Sequence, residues 1–208
     1  MEPYLIPTAS GEAEFQEKRS TFLGHVRPVE TEDEAKAFVA AMKKQYHDAR
    51  HNCWCYLLRG GVERYSDDGE PQGSAGIPML EVFRRAGVTN VVCVVTRYFG
   101  GILLGTGGLL RAYTKSAKDA LAAAGVSAVR RWVRVEAPCS YALLERVKTA
   151  VAAADGMVSD LEYGADVTVR ALLPEESVAS FQAQVRDLSA GAVEVIVAGE
   201  DFRAVPVR

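Results

Sequence analysis

The segment Ser66–Pro78, which we call the acidic loop, holds three carboxylates within four residues. Asp67, Asp68 and Glu70 are residue types that hold a hard cation or act as a general base. Their spacing does not match a calcium loop, because that loop places ligands at its first, third, fifth and twelfth positions. No complete ligand set is present, so the sequence predicts neither a metal nor a cofactor.

Two other roles for these carboxylates remain open. Asp67 and Asp68 can accept backbone amides in a turn that places Gly69 at positive φ. The carboxylates can instead pair with arginines across a shared site. The candidate partners are Arg64, Arg97 and Arg111.

Residues 96–113, which we call the glycine-rich run, follow an apolar strand and open into a helix. Glycine is costly in ordered backbone, so positive φ or a close backbone approach is expected here. The first amides of a helix are unsatisfied and its dipole favours negative charge, which predicts an anion site. Five glycines lie within nine residues: Gly100, Gly101, Gly105, Gly107 and Gly108.

Cationic and aromatic residues accompany these glycines. We assign Arg97, Arg111 and Lys115 to phosphate contacts, and Tyr98 is available to stack on a base. The competing interpretation is that the glycines only permit tight packing and that the basic helix face is solvated. Neither a P-loop nor a dinucleotide fingerprint is present, because the residues after the glycines do not match.

His51 precedes a strand that leads to the same region, so it is a possible member of this site. The three residues between His47 and His51 lack the glutamate of a zincin motif. The four cysteines lie in apolar or strand-like segments, and we expect them to be buried and unbridged.

The charge distribution is uneven. The net charge is −3, yet residues 43–118 hold 11 basic against 6 acidic residues. A local basic field of this kind is compatible with an anionic partner. The start of the chain does not resemble a signal peptide and no apolar run is long enough for a membrane span, so we expect a cytoplasmic protein with no membrane partner.

The order of elements predicts an α+β protein with two domains, residues 1–129 and residues 130–208. In the first, Thr31 and Glu34 form a capping box before a helix over residues 32–47. A hairpin follows over 53–65 and a second helix over 77–86. A strand over 91–95 is expected to be covered on both faces. The third helix spans 107–124, with Leu110 on its buried side. In the second, strand, helix, two strands, helix and a last strand over 193–198 give the βαββαβ order of a ferredoxin-like domain.

The acidic loop and the glycine-rich run resemble the signature of the YigZ/IMPACT family. That signature is an acidic D-D-G-E-P-x-G-[TS]-A-G-x-P loop followed by V-T-R-Y-F-G-G-x-x-L-G-x-G-G-L-x-R-A-Y. The match spans most of the N-terminal domain and includes Glu17-Lys18-x-Ser20-x-Phe22 and Asp48-Ala49-x-His51. Ser74 stands where threonine is common, which keeps the hydroxyl.

The resemblance implies an N-terminal domain like the second domain of small-subunit ribosomal protein five, followed by a ferredoxin-like domain. It implies contact with RNA or the ribosome, and eukaryotic family members regulate translation through a protein partner. The resemblance does not imply any catalytic activity. The signature places the working surface on Asp67, Asp68, Glu70, Arg97, Tyr98, Gly100, Gly101, Gly105, Gly107, Gly108 and Arg111.

The leading hypothesis is therefore a non-enzymatic RNA- or ribosome-binding protein linked to translation or its regulation. One alternative is a metal-assisted hydrolase or phosphotransferase that acts on a small phosphorylated ligand through the acidic loop. Another is a protein-interaction module whose ferredoxin-like half binds a partner or a second copy.

Overall fold

The computed structural model describes residues 2–207, which divide into two compact units. Of the described residues, the N-terminal unit comprises Tyr4–Ala128 and 204–207, and the C-terminal unit comprises 2–3 and Val129–Arg203. No helix within residues 2–207 combines the length and the apolar character needed to cross a membrane.

The N-terminal unit alternates strands with three helices. The strands are β1 (Tyr4–Pro7), β2 (Gly11–Glu17), β3 (Ser20–Pro28), β4 (His51–Leu58), β5 (Val62–Ser66) and β6 (Val91–Tyr98), and the helices are α1 (Glu32–Gln45), α2 (Gly76–Ala86) and α3 (Thr106–Ala124). β2 to β6 form an antiparallel sheet in the order β2-β3-β6-β4-β5.

The central strand β6 is covered on both faces, as its unbroken apolar sequence predicts. Val91, Cys93 and Val95 lie in one core with α2 and α3. Val92 and Val94 lie in a second core with α1. Successive side chains of a strand point to opposite faces, and this alternation decides which residues at the end of β6 meet α3.

Several local predictions are confirmed. Thr31 and Glu34 form the capping box of α1, and α2 ends at Ala86, after which Gly87 adopts the left-handed conformation. All four cysteines are buried and free. One residue of the buried face of α3 was predicted wrongly: Leu110 is 44% exposed, and its neighbour Leu109 takes the buried position. Either leucine fits the helical period, and Leu109 continues the buried series of Ala112, Tyr113 and Ser116 at i+3, i+4 and i+7.

The C-terminal unit has the ferredoxin-like arrangement, which confirms the predicted fold class. Its elements are β7 (Val126–Cys139), α4 (Leu144–Ala153), β8 (Met157–Tyr163), β9 (Val167–Pro174), α5 (Val178–Leu188) and β10 (Ile196–Pro206). The strand order is β8-β9-β7-β10, and α4 packs on β8, β9 and α5. The last strand was predicted over 193–198 but starts at Ile196, because Val193 and Val195 are buried in the core without strand pairing.

Candidate functional site: a cleft beside the glycine-rich run

Arg97 and Glu70 form a buried ion pair at the end of β6. Nη1 of Arg97 lies 2.7 Å from Oε1 of Glu70, and the two residues are only 5% and 8% exposed. In the sheet, Arg97 has Phe22 of β3 opposite it on one side and His51 of β4 on the other. Arg97 is two residues from Val95 and four from Cys93, so all three side chains lie on the same face of β6. This is the face that α3 covers.

The surroundings of Arg97 hold its guanidinium in place. Its Cζ atom lies 5.6 Å from the ring centre of Phe22 and 5.5 Å from that of Phe99. Nη2 donates to Oγ of Ser20 at 3.4 Å, whereas no described residue offers an acceptor to the buried Nε. Tyr113 donates to the same Glu70 oxygen at 2.8 Å. Glu70 therefore supplies the principal counter-charge to Arg97 from within the chain.

Asp67 organises the acidic loop by accepting backbone amides. Its carboxylate receives the N–H groups of Gly73, Ala75 and Gly76 at 2.8, 3.0 and 2.8 Å. Ala75 occupies the N-cap position of α2 and has no side-chain acceptor. Asp67 thus caps α2 from outside the helix, which is the backbone role that the sequence left open.

Asp68 joins the acidic loop to β4 and α1. Its Oδ2 accepts the amide of Asn52 at 2.7 Å, and its Oδ1 lies 2.5 Å from Nζ of Lys43. Its carbonyl oxygen lies 2.9 Å from Nδ1 of His51. The three carboxylates point to three different sets of partners. Across residues 2–207, no group of three or more His, Cys, Asp or Glu side chains is arranged to hold a metal ion.

Cys53 lies beneath the acidic loop, where its Sγ donates to the carbonyl of Asp67 at 3.0 Å. Burial raises the pKa of the Cys53 thiol well above its ordinary value, and the nearby carboxylates raise it further. The thiol is protonated at neutral pH, so Cys53 is a packing residue and not a nucleophile.

Most glycines of the glycine-rich run are required by the fold itself. Gly101 and Gly105 have φ values of 84° and 72°, which L-residues with side chains rarely adopt. A Cβ atom at Gly100 would lie 2.0 Å from the carbonyl of Arg19. Lys18 and Arg19 form the β2–β3 turn, and the amide of Gly100 donates to Oγ of Ser20 at 3.2 Å.

Gly107 is different, because nothing in the fold requires a glycine there. Its φ is not in the left-handed region, and a Cβ atom would meet only the tip of Arg111 at 3.5 Å. A glycine inside a helix costs about 1 kcal/mol relative to alanine. Its place at the exposed start of α3 leaves the backbone open to close approach. Gly105, at the N-cap, has no side chain to satisfy the first amides of α3.

The start of α3 faces a hollow of about 360 Å³, which we call the loop cleft. Arg50 and His51 lie on one side of the loop cleft, and Phe99, Leu103 and Thr106 line the other. Glu70 and Arg97 form part of its buried wall. The loop cleft therefore combines free amides, an exposed arginine, a histidine and apolar side chains, a set that can hold an anionic group with an apolar or planar part.

Other predicted site residues lie elsewhere. Arg111 and Lys115 line a separate hollow on the outer side of α3, and Lys115 is paired with Asp119. The guanidinium tip of Arg111 nevertheless reaches back to Gly107 at the start of the helix. Tyr98 follows Arg97 and so points to the opposite face of the sheet, where its hydroxyl donates to Asp48 at 2.8 Å. The structure brings His51, Glu70, Arg97 and Gly105 together at the loop cleft but not Tyr98, Arg111 or Lys115.

The prediction from sequence missed Arg50, Phe99 and Leu103. Strand alternation was the available signal for Phe99, because it shares the face of Arg97 once β6 extends to Tyr98. Arg50 stands next to His51 and has no recognisable motif of its own.

A larger apolar hollow of about 890 Å³ lies between α2 and α3, with Ile77 and Leu110 among its lining residues.

Comparisons with known proteins agree with this fold. Residues 18–121 match the Impact N-terminal domain, and residues 139–192 match a domain of unknown function, DUF1949. IMPACT family member YigZ of Escherichia coli is 34% identical over 96% of this chain and 100% of its own length. IMPACT family member YvyE of Bacillus subtilis is also 34% identical, over 92% of this chain and 89% of its own.

A solved structure, described as the crystal structure of a hypothetical protein, superposes with a TM-score of 0.60 at 34% identity. It covers 96% of this chain and 98% of that chain. Protein IMPACT of Rattus norvegicus is 36% identical over 49% of this chain and 33% of its own length. The chain belongs to the IMPACT family.

Proposed function

We propose that this protein is a non-enzymatic RNA- or ribosome-binding protein, acting in the cytoplasm in translation or its regulation. The observation that carries the proposal is the loop cleft, where the uncapped start of α3 meets the exposed Arg50. The first amides of a helix attract anions, and phosphate is the anion that every nucleic acid presents. Membership of the IMPACT family, whose eukaryotic members regulate translation, supports the link to translation and to ribosomal partners.

Charges around the loop cleft favour the same partner. Lys18 and Arg19 are exposed at the turn that packs on Gly100, and Arg50 is exposed on the other side. The cationic group of Arg97 is balanced by Glu70. We therefore assign the phosphate contacts to Arg50 and the α3 amides, with Arg97 as a positioning residue.

No observation favours the metal-assisted alternative. The carboxylates that it requires are engaged, Asp67 with the start of α2, Asp68 with Lys43 and Asn52, and Glu70 with Arg97.

Filter binding of a mixed-sequence single-stranded RNA at several salt concentrations tests the proposal. Affinity should fall steeply with salt, because phosphate contacts release counterions. Arg50→Ala should weaken binding and reduce the logarithmic salt slope by about 0.7, the value of one contact on a single strand. Arg85→Ala is the matched control, because Arg85 is an exposed arginine outside the loop cleft. Salt-independent binding, or equal losses in both variants, would contradict the assignment.

A further inference from the structure

The mouth of the loop cleft exposes more apolar surface than a phosphate site needs. Phe99, Ile102 and Leu103 are 41%, 42% and 81% exposed, and Phe99 and Leu103 line the loop cleft itself. Large apolar side chains clustered on a surface mark a contact with another molecule. A phosphate group makes no apolar contact with these side chains. The ligand must therefore have an apolar or aromatic part next to its charge.

Phe99 is held as a rigid platform. Its ring packs over the guanidinium of Arg97, which in turn packs over the fully buried Phe22. Glu70 and Ser20 fix that guanidinium from the side. A ring supported from beneath and exposed above is suited to stack on a planar base, which is how proteins bind unpaired nucleotides.

The dimensions of the loop cleft limit what it takes. Its volume of about 360 Å³ is at the small end of the range for ligand sites. Duplex RNA keeps its bases stacked inside and presents ribose and phosphate, which do not match an apolar rim. An unpaired nucleotide presents both a phosphate for the start of α3 and a base for Phe99.

We propose that the loop cleft holds one unpaired nucleotide of an RNA strand, with its phosphate at Thr106 and Arg50 and its base on Phe99 and Leu103. This inference rests on the proposed function and makes it more specific. The protein recognises single-stranded RNA, in an extended strand or in the loop of a folded RNA.

The test compares a labelled single-stranded RNA 12-mer with the same sequence in a blunt duplex, by fluorescence anisotropy at low salt. The single strand should bind at least about 10-fold more tightly than the duplex. Phe99→Ala should weaken single-strand binding roughly 5- to 150-fold, the loss of one stacked base, with the salt slope unchanged. Phe99→Tyr should restore binding, since it retains the stacking ring.

Leu103→Ala should also weaken single-strand binding. Leu110→Ala is its control and should bind like wild type, because Leu110 is an exposed leucine outside the loop cleft. Equal binding of the two RNA forms, or Phe99→Ala binding like wild type, would overturn the inference while the proposed function stands. Displacement of the strand by micromolar adenosine 5′-monophosphate would assign the loop cleft to a free nucleotide and would also overturn it. Failure of both RNA forms to bind would reject the proposed function as well.

Discussion

Oε1 of Glu70 accepts both from Nη1 of Arg97, at 2.7 Å, and from the hydroxyl of Tyr113, at 2.8 Å, in a buried part of the N-terminal unit. One carboxylate oxygen thus joins the acidic loop, the end of β6 and the middle of α3. These are the elements that surround the loop cleft. The family signature contains all three residues, and their contacts assign them to building the site.

Replacing Glu70 with glutamine should destabilise the protein by about 3 kcal/mol, because the buried guanidinium of Arg97 loses its counter-charge. Glutamine keeps nearly the same shape, so a large effect would come from charge and not from packing. Urea unfolding followed by tryptophan fluorescence measures the change.

The control for this pair is Asp119→Asn, which breaks the exposed ion pair with Lys115 on the same helix. Exposed pairs contribute at most about 1 kcal/mol. An effect of Glu70→Gln no larger than that of the control would show that the buried pair does not hold the site together.

Two glycine substitutions should have opposite effects on stability. Gly107→Ala should stabilise the protein by about 0.5–1 kcal/mol, because alanine favours the helix and space is available. Gly100→Ala should destabilise it by about 2–3 kcal/mol, because the new Cβ would overlap the backbone of Arg19. Thermal unfolding measures both.

RNA binding and stability should change in opposite directions in Gly107→Ala. Gly107→Ala should weaken binding despite its greater stability, since its methyl group stands at the start of α3. If Gly107→Ala bound RNA as tightly as wild type, close approach of phosphate to this backbone would be ruled out.

Alkaline pH should destabilise the protein through the ionisation of Tyr113. Burial raises the pKa of Tyr113, and the neighbouring Cys53 and Glu70 raise it further. A raised pKa gives stability that is complete below the unfolded value of about 10 and is lost as the pH rises above it. The free energy of unfolding should therefore fall by about 1.4 kcal/mol per pH unit more steeply in wild type than in Tyr113→Phe. Parallel curves for the two proteins would show that Tyr113 ionises without unfolding.

Much of the fold could be predicted from local sequence. The period of the apolar residues predicted α1, α2 and α3, and the unbroken run in β6 predicted its cover on both faces. Local pattern could not choose between Leu109 and Leu110, because both fit the helical period and only the packing of α3 distinguishes them.

The site was less predictable because its contacts join distant parts of the chain. The sequence suggested that a carboxylate of the acidic loop pairs with an arginine, but only the folded structure shows that the pair is Glu70 with Arg97. The contact of Gly100 with Arg19 depends on the pairing of β3 with β6. Tyr98 was expected in the site and Phe99 was not, yet β6 extends to Tyr98 and its alternation places Phe99 on the face of Arg97.

Co-sedimentation with ribosomes from a cell lysate, at low and moderate salt, tests the central claim most directly. The informative variant is Thr106→Glu, with Thr106→Gln as its control of equal size. A carboxylate at the first position of a helix favours the helix, so folding is preserved while a phosphate is repelled. We predict salt-sensitive association for wild type and Thr106→Gln and its loss in Thr106→Glu. No association of the wild-type protein at low salt, or undiminished association of Thr106→Glu, would contradict the claim.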